Sequence, residues 1–462
     1  MKNTNVYFIG IGGIGMSALA RHFNAHGSNV AGYDRAASQL TDEIAAEGIE
    51  ISFIDDVNTI PEDFKNPNTT TVVVTPAIPL SNKILMYFSS NGFEIVKRAA
   101  MLGYLTQDSD AICIAGSHGK TTTSTLTAHI LKNSKVGCSA FLGGISANYN
   151  TNYWCDTKSS FIVTEADEFD RSFLKLHPYL ALITSMDADH LDVYGNASEV
   201  KKAFRQFARQ TVVGGSIIYK YGLDIGEANE DQASETEEFT YSLDNTNADF
   251  YAIDIKLDGG LYHFSVNTPF GIVRDLKLGL PGIHNVENAV AAISLAMLAG
   301  AESNEVREAL ASFRGNRRRF QYRINERNFC LIDDYAHHPT EIRAMLTSLR
   351  KIYGERKITV VFQPHLFTRT RDFADEFAAA LSLADRILLL EIYPAREEPI
   401  EGVNSSMLIK KMTNKNSKLI SKENLISDIE AEPLDVLVMM GAGDIDKLVL
   451  KVEERIKEIK NL

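Results

Sequence analysis

The feature that most constrains this chain is the run A-I-C-I-A at Ala111–Ala115, followed at once by G-S-H-G-K-T-T-T at Gly116–Thr123. A short unbroken apolar run bounded by a glycine turn predicts a strand buried on both faces, as in a parallel sheet. The stretch from Thr122 to about Leu131 reads as a helix. Strand, glycine turn and helix in that order aim backbone N–H groups at a helix N-terminus, where a phosphate is held. In such a loop Lys120 reaches the β- and γ-phosphates and the Thr121 hydroxyl holds Mg²⁺. Gly116 stands three residues before Gly119, so the loop is two residues shorter than the general G-x-x-x-x-G-K-[ST] pattern. A turn with a chance lysine is the plain alternative, and the strand–turn–helix setting argues against it.

The same alternation runs through the chain. Strands at Val6–Ile9, Val30–Tyr33 and Val72–Thr75 enclose a helix over Ser17–His26, which Gly27 ends. Buried-type strands follow at Phe161–Thr164 and Ala181–Thr184. Gly222–Glu238 is acidic and reads as a surface excursion, and residues 239–276 read as short antiparallel strands. Asn285–Ala299 is a helix that Gly300 stops. From Gln321 onward, strands at Phe329–Ile332, Ile358–Phe362, Ile387–Leu390 and Val436–Met439 alternate with helices. Strands alternating with helices imply parallel sheets. The fold expected is α/β, with three consecutive domains at residues 1–106, 107–320 and 321–462. Each is built on a largely parallel sheet with flanking helices: Rossmann-like, P-loop and Rossmann-like in turn.

Further motifs fall at strand ends, where open parallel sheets bind ligands. G-I-G-G-I-G-M at Gly10–Met16 joins a strand to a helix, and Asp34 ends the next strand. That pattern indicates a diphosphate near a helix N-terminus more firmly than it indicates a nicotinamide cofactor. E-A-D-E at Glu165–Glu168 and D-A-D-H-L-D at Asp187–Asp192 leave the same predicted edge as the Lys120 loop. Carboxylate, imidazole and threonine hydroxyl there suit Mg²⁺, although imidazole is an unusual ligand for so hard a cation. Helix capping by the aspartates is the structural alternative. G-N-R-R-R-F at Gly315–Phe320 offers arginines for phosphate or carboxylate. D-D-Y-A-H-H-P-T-E at Asp333–Glu341 and F-Q-P-H-L-F-T-R-T-R at Phe362–Arg371 gather His337, His338, His365, Arg369 and Arg371 at adjacent strand ends.

Composition narrows the partners. The 462 residues are 45% hydrophobic and 23% charged, with a net charge of −13. That balance argues against a nucleic acid or an anionic membrane surface as partner. The four cysteines form no C-x-x-C pair, the N-terminus lacks signal-peptide character, and no long apolar run occurs. A reducing, cytoplasmic location is expected. Neither composition nor motif separates a monomer from a homodimer.

In combination and in order, these motifs resemble the Mur ligases: G-S-H-G-K-T-T-T, E-A-D-E, D-A-D-H-L-D-V-Y, H-N-V-E-N-A-V-A-A, R-R-F and D-D-Y-A-H-H-P-T-E. The likeness runs from residue 5 to about 445. It implies an ATP-dependent ligase working through an acyl phosphate in peptidoglycan precursor synthesis, with ATP and Mg²⁺ as cofactors. The N-terminal domain would bind a UDP sugar, the central one ATP, and the C-terminal one would close over the amino acid. G-I-G-G-I-G-M-S, the paired histidines and F-Q-P-H point to UDP-N-acetylmuramate and L-alanine as the substrates.

The resemblance assigns Gly116, Ser117, His118, Gly119, Lys120, Thr121 and Thr122 to the triphosphate. Asn285 and Asn288 go to adenine, and Arg319 and Asp333 to the nucleotide. Thr121, Glu165 and His190 would carry the metal. The UDP sugar would meet Gly12, Gly13, Ile14, Gly15, Met16, Ser17, Asp34, Thr75, Ala77, Ile78 and Arg98. Tyr335, His337, His338 and Arg369 would frame alanine and the muramoyl carboxylate. Catalysis would rest on Lys120, Glu165, His190, His337 and Arg369. Some relatives carry a carbamylated lysine, and Lys201 and Lys202 lie near these motifs. The chain departs from the usual pattern at Thr75-Pro76, Ala100 and Leu366. Three other readings stand beside this one: a ligase of the family that attaches a preformed peptide, a nicotinamide-dependent oxidoreductase using Gly10–Gly15 and Asp34, and an ATP-driven binding module.

Overall fold

A computed structural model describes residues 4–187, 191–226, 236–395 and 397–460. It contains three sheets dominated by parallel strands. The first holds β1 (Asn5–Ile9), β2 (Asn29–Tyr33), β3 (Glu50–Ser52), β4 (Thr70–Val74) and β5 (Glu94–Lys97) in the order β3-β2-β1-β4-β5. The chain leaves β1 for β2 on one side and later returns to β4 on the other, so a crevice opens beyond the ends of β1 and β4. Ile9 is in register with Val74 there. Gly10 and Thr75 follow directly, which puts the first glycine loop at the switch point.

The second sheet holds β6 (Asp110–Ala115), β7 (Ser139–Phe141), β8 (Tyr153–Trp154), β9 (Phe161–Glu165), β10 (Leu180–Ile183), β11 (Ser216–Lys220), β12 (Glu237–Ser242), β13 (Phe250–Asp258), β14 (Leu261–Thr268) and β15 (Gly271–Lys277). Their order is β15-β14-β13-β12-β11-β10-β6-β9-β7-β8. Parallel β9 and β10 flank β6, pairing Ile114 with Glu165 and Ala115 with Ile183. The Lys120 loop, the E-A-D-E segment and the end of β10 therefore share one edge. Helix Lys120–Lys132 is rich in threonine, an indifferent helix former. Burial decides its fate, because every residue from Thr121 to Leu131 is buried. Thr125 Oγ1 donates to Thr121 O at 2.8 Å and Thr127 Oγ1 to Thr123 O at 2.9 Å, so the helix satisfies its own hydroxyls.

The third sheet holds β16 (Gln321–Glu326), β17 (Phe329–Asp334), β18 (Ile358–Phe362), β19 (Arg386–Leu389), β20 (Ser417–Leu419) and β21 (Val436–Met440), in the order β16-β17-β21-β18-β19-β20. Among the described residues of this sheet, only the β16–β17 pair is antiparallel. Asp333 and Asp334 end β17, and Gln363 follows β18.

The chain falls into two compact units. One comprises Met1–Ile253, Ser265–Leu276 and Asn288–Phe313, and the other Asp254–Phe264, Lys277–Glu287 and Arg314–Leu462. In the first, one apolar core runs from Met16, Leu19 and Phe23 through Met101 and Phe141 to Phe173, Phe204 and Phe207, and another gathers Tyr7, Phe64, Phe88 and Phe93. The former core joins the first sheet to the second. Asn152, fully buried, reinforces the join: its Nδ2 donates to Ile14 O at 2.6 Å and Ser17 Oγ at 2.9 Å, and its Oδ1 accepts from Arg21 Nη1. In the second unit, Leu331, Val361, Leu388, Leu437 and Met439 form the core. Among the described residues no helix is long and apolar enough to cross a membrane.

Several local expectations change. The first helix starts at Ile14, not Ser17, because Gly13 already has extended N-cap dihedrals. Met16 and Ser17, in its first turn, are buried at 1% and 0% exposure, and Ser17 Oγ accepts from Asn152. The acidic excursion ends earlier than Glu238, since β12 begins at Glu237 and pairs in parallel with β11. β12 also runs parallel to β13, so the antiparallel reading holds only for β13, β14 and β15, whose two-residue connections permit nothing else.

Candidate active site

Two glycines give the Lys120 loop its shape. Gly116 has φ +137° and Gly119 φ +81°, values an L side chain would rarely adopt. The loop is tied to the end of β10. Ser117 N–H donates to Ser185 O at 3.3 Å, His118 N–H to Ser185 Oγ at 3.0 Å, and Thr184 Oγ1 to His118 O. Gly119 is the N-cap and brings no side chain, so no side-chain cap bonds the first turn of helix Lys120–Lys132, the end of a helix that favours an anion. A Cβ on Gly119 would meet Asn288 Oδ1 at 2.7 Å, which sets that asparagine directly beside the loop.

Lys120 bends back over this loop. Its Nζ donates to Gly116 O at 2.6 Å and lies 2.7 Å from Glu168 Oε2. Burial alone would lower the lysine's pKa, but Glu168, Glu165 and Asp167 outweigh it and hold the amine charged, above its ordinary range. Thr121 Oγ1 donates to Glu165 Oε2 at 2.9 Å. Three carboxylates around one lysine leave a surplus of negative charge beside a hydroxyl, a donor set that suits a hard divalent cation. His190, the third expected metal ligand, lies outside the described residues. Among the described residues no three His, Cys, Asp or Glu side chains converge as a metal cluster. Glu168 is the functional candidate that the motif reading passed over. Its signal was present, since it closes the same E-A-D-E segment as Glu165.

The first glycine loop meets this edge. Gly12 N–H donates to Asp34 Oδ2 at 2.8 Å, so Asp34 braces the loop from within. A Cβ on Gly15 would meet Arg98 Nη1 at 2.8 Å, and one on Gly10 would strike Thr75 and lie beside Ile78. Ala77 is exposed near that rim. A cavity of about 100 Å³ is lined by Ile14, Gly15, Arg98, Gly143, Glu165 and Asp167, among others. Arg98 and Asp167 face each other across it at 3.6 Å. Glu165 therefore touches the Lys120 loop on one side and the chamber below the first glycine loop on the other.

The second unit carries the remaining candidates. Tyr335 lies under two guanidinium groups, with Arg318 at 5.3 Å and Arg319 at 5.1 Å from its ring centre. Arg318 takes up Asp333 at 3.4 Å. Burial nonetheless pushes Asp333 up to about 6, Arg318 opposing it. Asn285 Nδ2 donates to Pro281 O at 2.6 Å. His337 Nδ1 lies 2.9 Å from Tyr335 O, and burial lowers its pKa. His338 is the N-cap of helix Pro339–Tyr353 and its ring packs on Phe373. Arg369, buried, reaches His365 Nδ1 at 3.4 Å, and His365 stacks on Tyr393. Tyr393 and Glu341, the latter 3.8 Å from Arg319, join this cluster without having been singled out in the sequence.

Three family descriptions match the chain in succession: the Mur ligase family catalytic domain over residues 5–109, the Mur ligase middle domain over 114–296, and the Mur ligase glutamate ligase domain over 318–443. The chain belongs to the Mur ligase family. The UDP-N-acetylmuramate–L-alanine ligase of Porphyromonas gingivalis is 48% identical over 455 residues, covering 98% of this chain and 99% of that protein. The enzyme of the same name from Parabacteroides distasonis is 47% identical, covering 98% and 97%. A crystal structure of a UDP-N-acetylmuramate-alanine ligase from Thermotoga maritima superposes with a TM-score of 0.82 at 27% identity, covering 98% and 99%. A murein peptide ligase from Psychrobacter arcticus shares the fold, with a TM-score of 0.68 at 23% identity, covering 97% and 98%. In Mur ligase terms, the three matched segments carry the first glycine loop, the Lys120 loop and the paired histidines respectively. An oxidoreductase reading of the first glycine loop has no support in these matches.

Proposed function

We propose that this chain uses ATP to join L-alanine to the carboxylate of UDP-N-acetylmuramate, in the cytoplasm, as a step in peptidoglycan precursor synthesis. The single observation that carries the reading is the position of Glu165, bonded to Thr121 on the phosphate loop and lining the cavity beneath Gly15 and Arg98. A carboxylate acceptor held by the first glycine loop can there meet a γ-phosphate held by the second. Full-length relatives at 47–48% identity support alanine over a preformed peptide. The domain division proposed is 1–106, 107–320 and 321–462. It is supported by the three sheets and the three matched segments.

Phosphoryl transfer requires positioning and charge neutralisation more than covalent help. The Gly116–Thr122 backbone and Lys120 would hold the triphosphate, with Asn288 beside the loop. Thr121, Glu165 and His190 would hold Mg²⁺, which supplies charge neutralisation on the phosphate oxygens. The acceptor carboxylate attacks the γ-phosphorus, giving an acyl phosphate and ADP. The alanine amine then attacks the acyl carbon and phosphate leaves. His337 takes the amine's proton, since a neutral imidazole near pH 7 is a competent base. Arg369 and Arg319 offer charge to carboxylate groups.

The test is phosphate release with ATP, Mg²⁺ and UDP-N-acetylmuramate, each amino acid added singly, with the product weighed by mass spectrometry. Release that needs alanine and yields a UDP-muramoyl-alanine mass is expected. Release only with a peptide would replace alanine by that peptide in this reading.

A further inference from the structure

Adjacent histidines in the second unit are held in opposite tautomers. His337 Nδ1 lies 2.9 Å from the Tyr335 carbonyl oxygen. A carbonyl only accepts, so this Nδ1 carries the proton and the neutral ring presents a bare Nε2. Among the described residues that Nε2 takes part in no hydrogen bond. His338 is the reverse, because its Nδ1 accepts from Thr340 N–H at 3.4 Å. The same helix start supplies a carboxylate. Glu341 Oε2 accepts from His337 N–H at 3.0 Å and His338 N–H at 3.3 Å, and lies 3.4 Å from His337 Nδ1. It therefore closes a capping box and faces the protonated side of the catalytic candidate at once.

We propose that Glu341 is a positioning residue: with the Tyr335 carbonyl it fixes His337 as the Nδ1–H tautomer, so that Nε2 receives the ammonium proton of the incoming amine and Glu341 steadies the imidazolium that forms. The proposal rests on the ligase reading above. One proton passes from the ammonium nitrogen to Nε2, and the freed lone pair makes the C–N bond. The acyl C–O bond breaks with its electron pair on phosphate, which takes the second N–H proton. The relation is that of the carboxylate in a catalytic triad, which orients the imidazole and stabilises its charged form.

The charged and titratable groups facing His337 are Glu341 and His338 at the helix start, Tyr335 before it, Arg319 ahead of β16, and Arg369 and His365 after β18. Burial and both arginines disfavour the imidazolium, while Glu341 and the Tyr335 carbonyl favour it. Loss of the Glu341 charge thus leaves the ring harder to protonate.

Glu341→Gln separates the two duties of this side chain, because glutamine also serves a capping box. The measurements are ¹⁵N spectra of histidine-labelled full-length protein, with His337→Gln for assignment, and the pH profile of alanine-dependent turnover. The expected results are an Nδ1–H resonance for His337, an acid limb moved to lower pH in Glu341→Gln, and an unchanged melting temperature. The same variant should lower kcat by about tenfold to a hundredfold. That is less than the ~10⁴ lost with a triad carboxylate, since the Tyr335 carbonyl still holds the tautomer. An Nε2–H tautomer in the unsubstituted chain, or coincident acid limbs in the two proteins, would overturn the proposal. Absence of alanine-dependent turnover in the unsubstituted chain would instead sink the ligase reading, and the spectra would still decide the tautomer.

Discussion

Lys120 Nζ sits 2.7 Å from Glu168 Oε2, and the pair is nearly sealed, with side-chain exposures of 13% and 3%. The protein's own carboxylate holds the lysine, so in the proposed reaction a triphosphate would compete with Glu168 for it. The pair also carries stability. Removing one partner of a buried ion pair strands the other, at about 3–5 kcal/mol.

Lys120→Ala should therefore abolish turnover and also lower the urea midpoint. Lys120→Met combined with Glu168→Gln should restore most of the midpoint with no recovery of activity, since neither new side chain carries a charge. Equal stability of Lys120→Ala and the parent chain would show that Glu168 finds another cation. Appreciable turnover in either variant would remove Lys120 from the chemistry.

Asn152 predicts a separate loss. Its amide spends both donors on Ile14 O and Ser17 Oγ, at the start of the helix that follows the first glycine loop, and its oxygen on Arg21 farther along that helix. Asn152→Ala leaves buried polar groups unpaired, at a cost of about 3 kcal/mol. The substitution touches no phosphate. Its effect on activity should thus appear in KM for the UDP sugar before kcat, as the helix start loosens. Calorimetry with steady-state kinetics would check it, and an unaltered melting temperature would sink it.

How far the sequence carried this picture depended on whether a signal was local. The Lys120 loop was legible because glycine turns, a lysine and a buried strand are contiguous. So were β1, β6, β9, β10, β17, β18 and β21, whose apolar runs need no partner to be recognised. The short strands β3, β7, β8 and β20 were not, since two or three residues carry no period and pairing alone makes them strands. The N-cap at Gly13 was misplaced because glycine permits both loop and helix. Asn152 and Gly143 were invisible for a different reason. Each matters through partners far away in sequence, and a lone asparagine or glycine announces none of them. Glu168 stood within a recognised motif, but only the fold shows that it faces Lys120.

A pH effect follows from His129, a residue of helix Lys120–Lys132 at 3% exposure. Its Nε2 lies 3.0 Å from Ala309 O and from Ser312 Oγ, and its Nδ1 lies 2.7 Å from Tyr149 OH. These bonds suit the neutral ring, and burial lowers the pKa from 6.5 to about 4. The unfolded chain takes up a proton as pH falls through 6.5, whereas the folded chain does not until about 4. The contribution is thus fully present above pH 6.5 and lost on acidification toward 4, roughly 3 kcal/mol in all. Urea titrations from pH 7 to 4.5 should show a slope that His129→Gln flattens. Parallel slopes in the two proteins would refute this assignment.

The sharpest test of the metal and phosphate arrangement is Gly143→Ala. Gly143 has no positive φ, so alanine suits its backbone. The obstacle is steric, since a Cβ there would overlap the Glu165 carboxylate. Glu165 would have to swing away from Thr121, which now donates to it at 2.9 Å, and so vacate the wall of the cavity under Gly15 and Arg98. Because the proposed reaction uses Glu165 both as a metal ligand and as a wall of the acceptor cavity, one methyl group should disturb both. The Mg²⁺ concentration for half-maximal turnover should rise about tenfold, which corresponds to about 1.4 kcal/mol of lost binding. kcat should fall with it and the melting temperature should change little. If the Mg²⁺ dependence of Gly143→Ala overlays that of the parent chain, Glu165 is not the residue through which the two loops communicate.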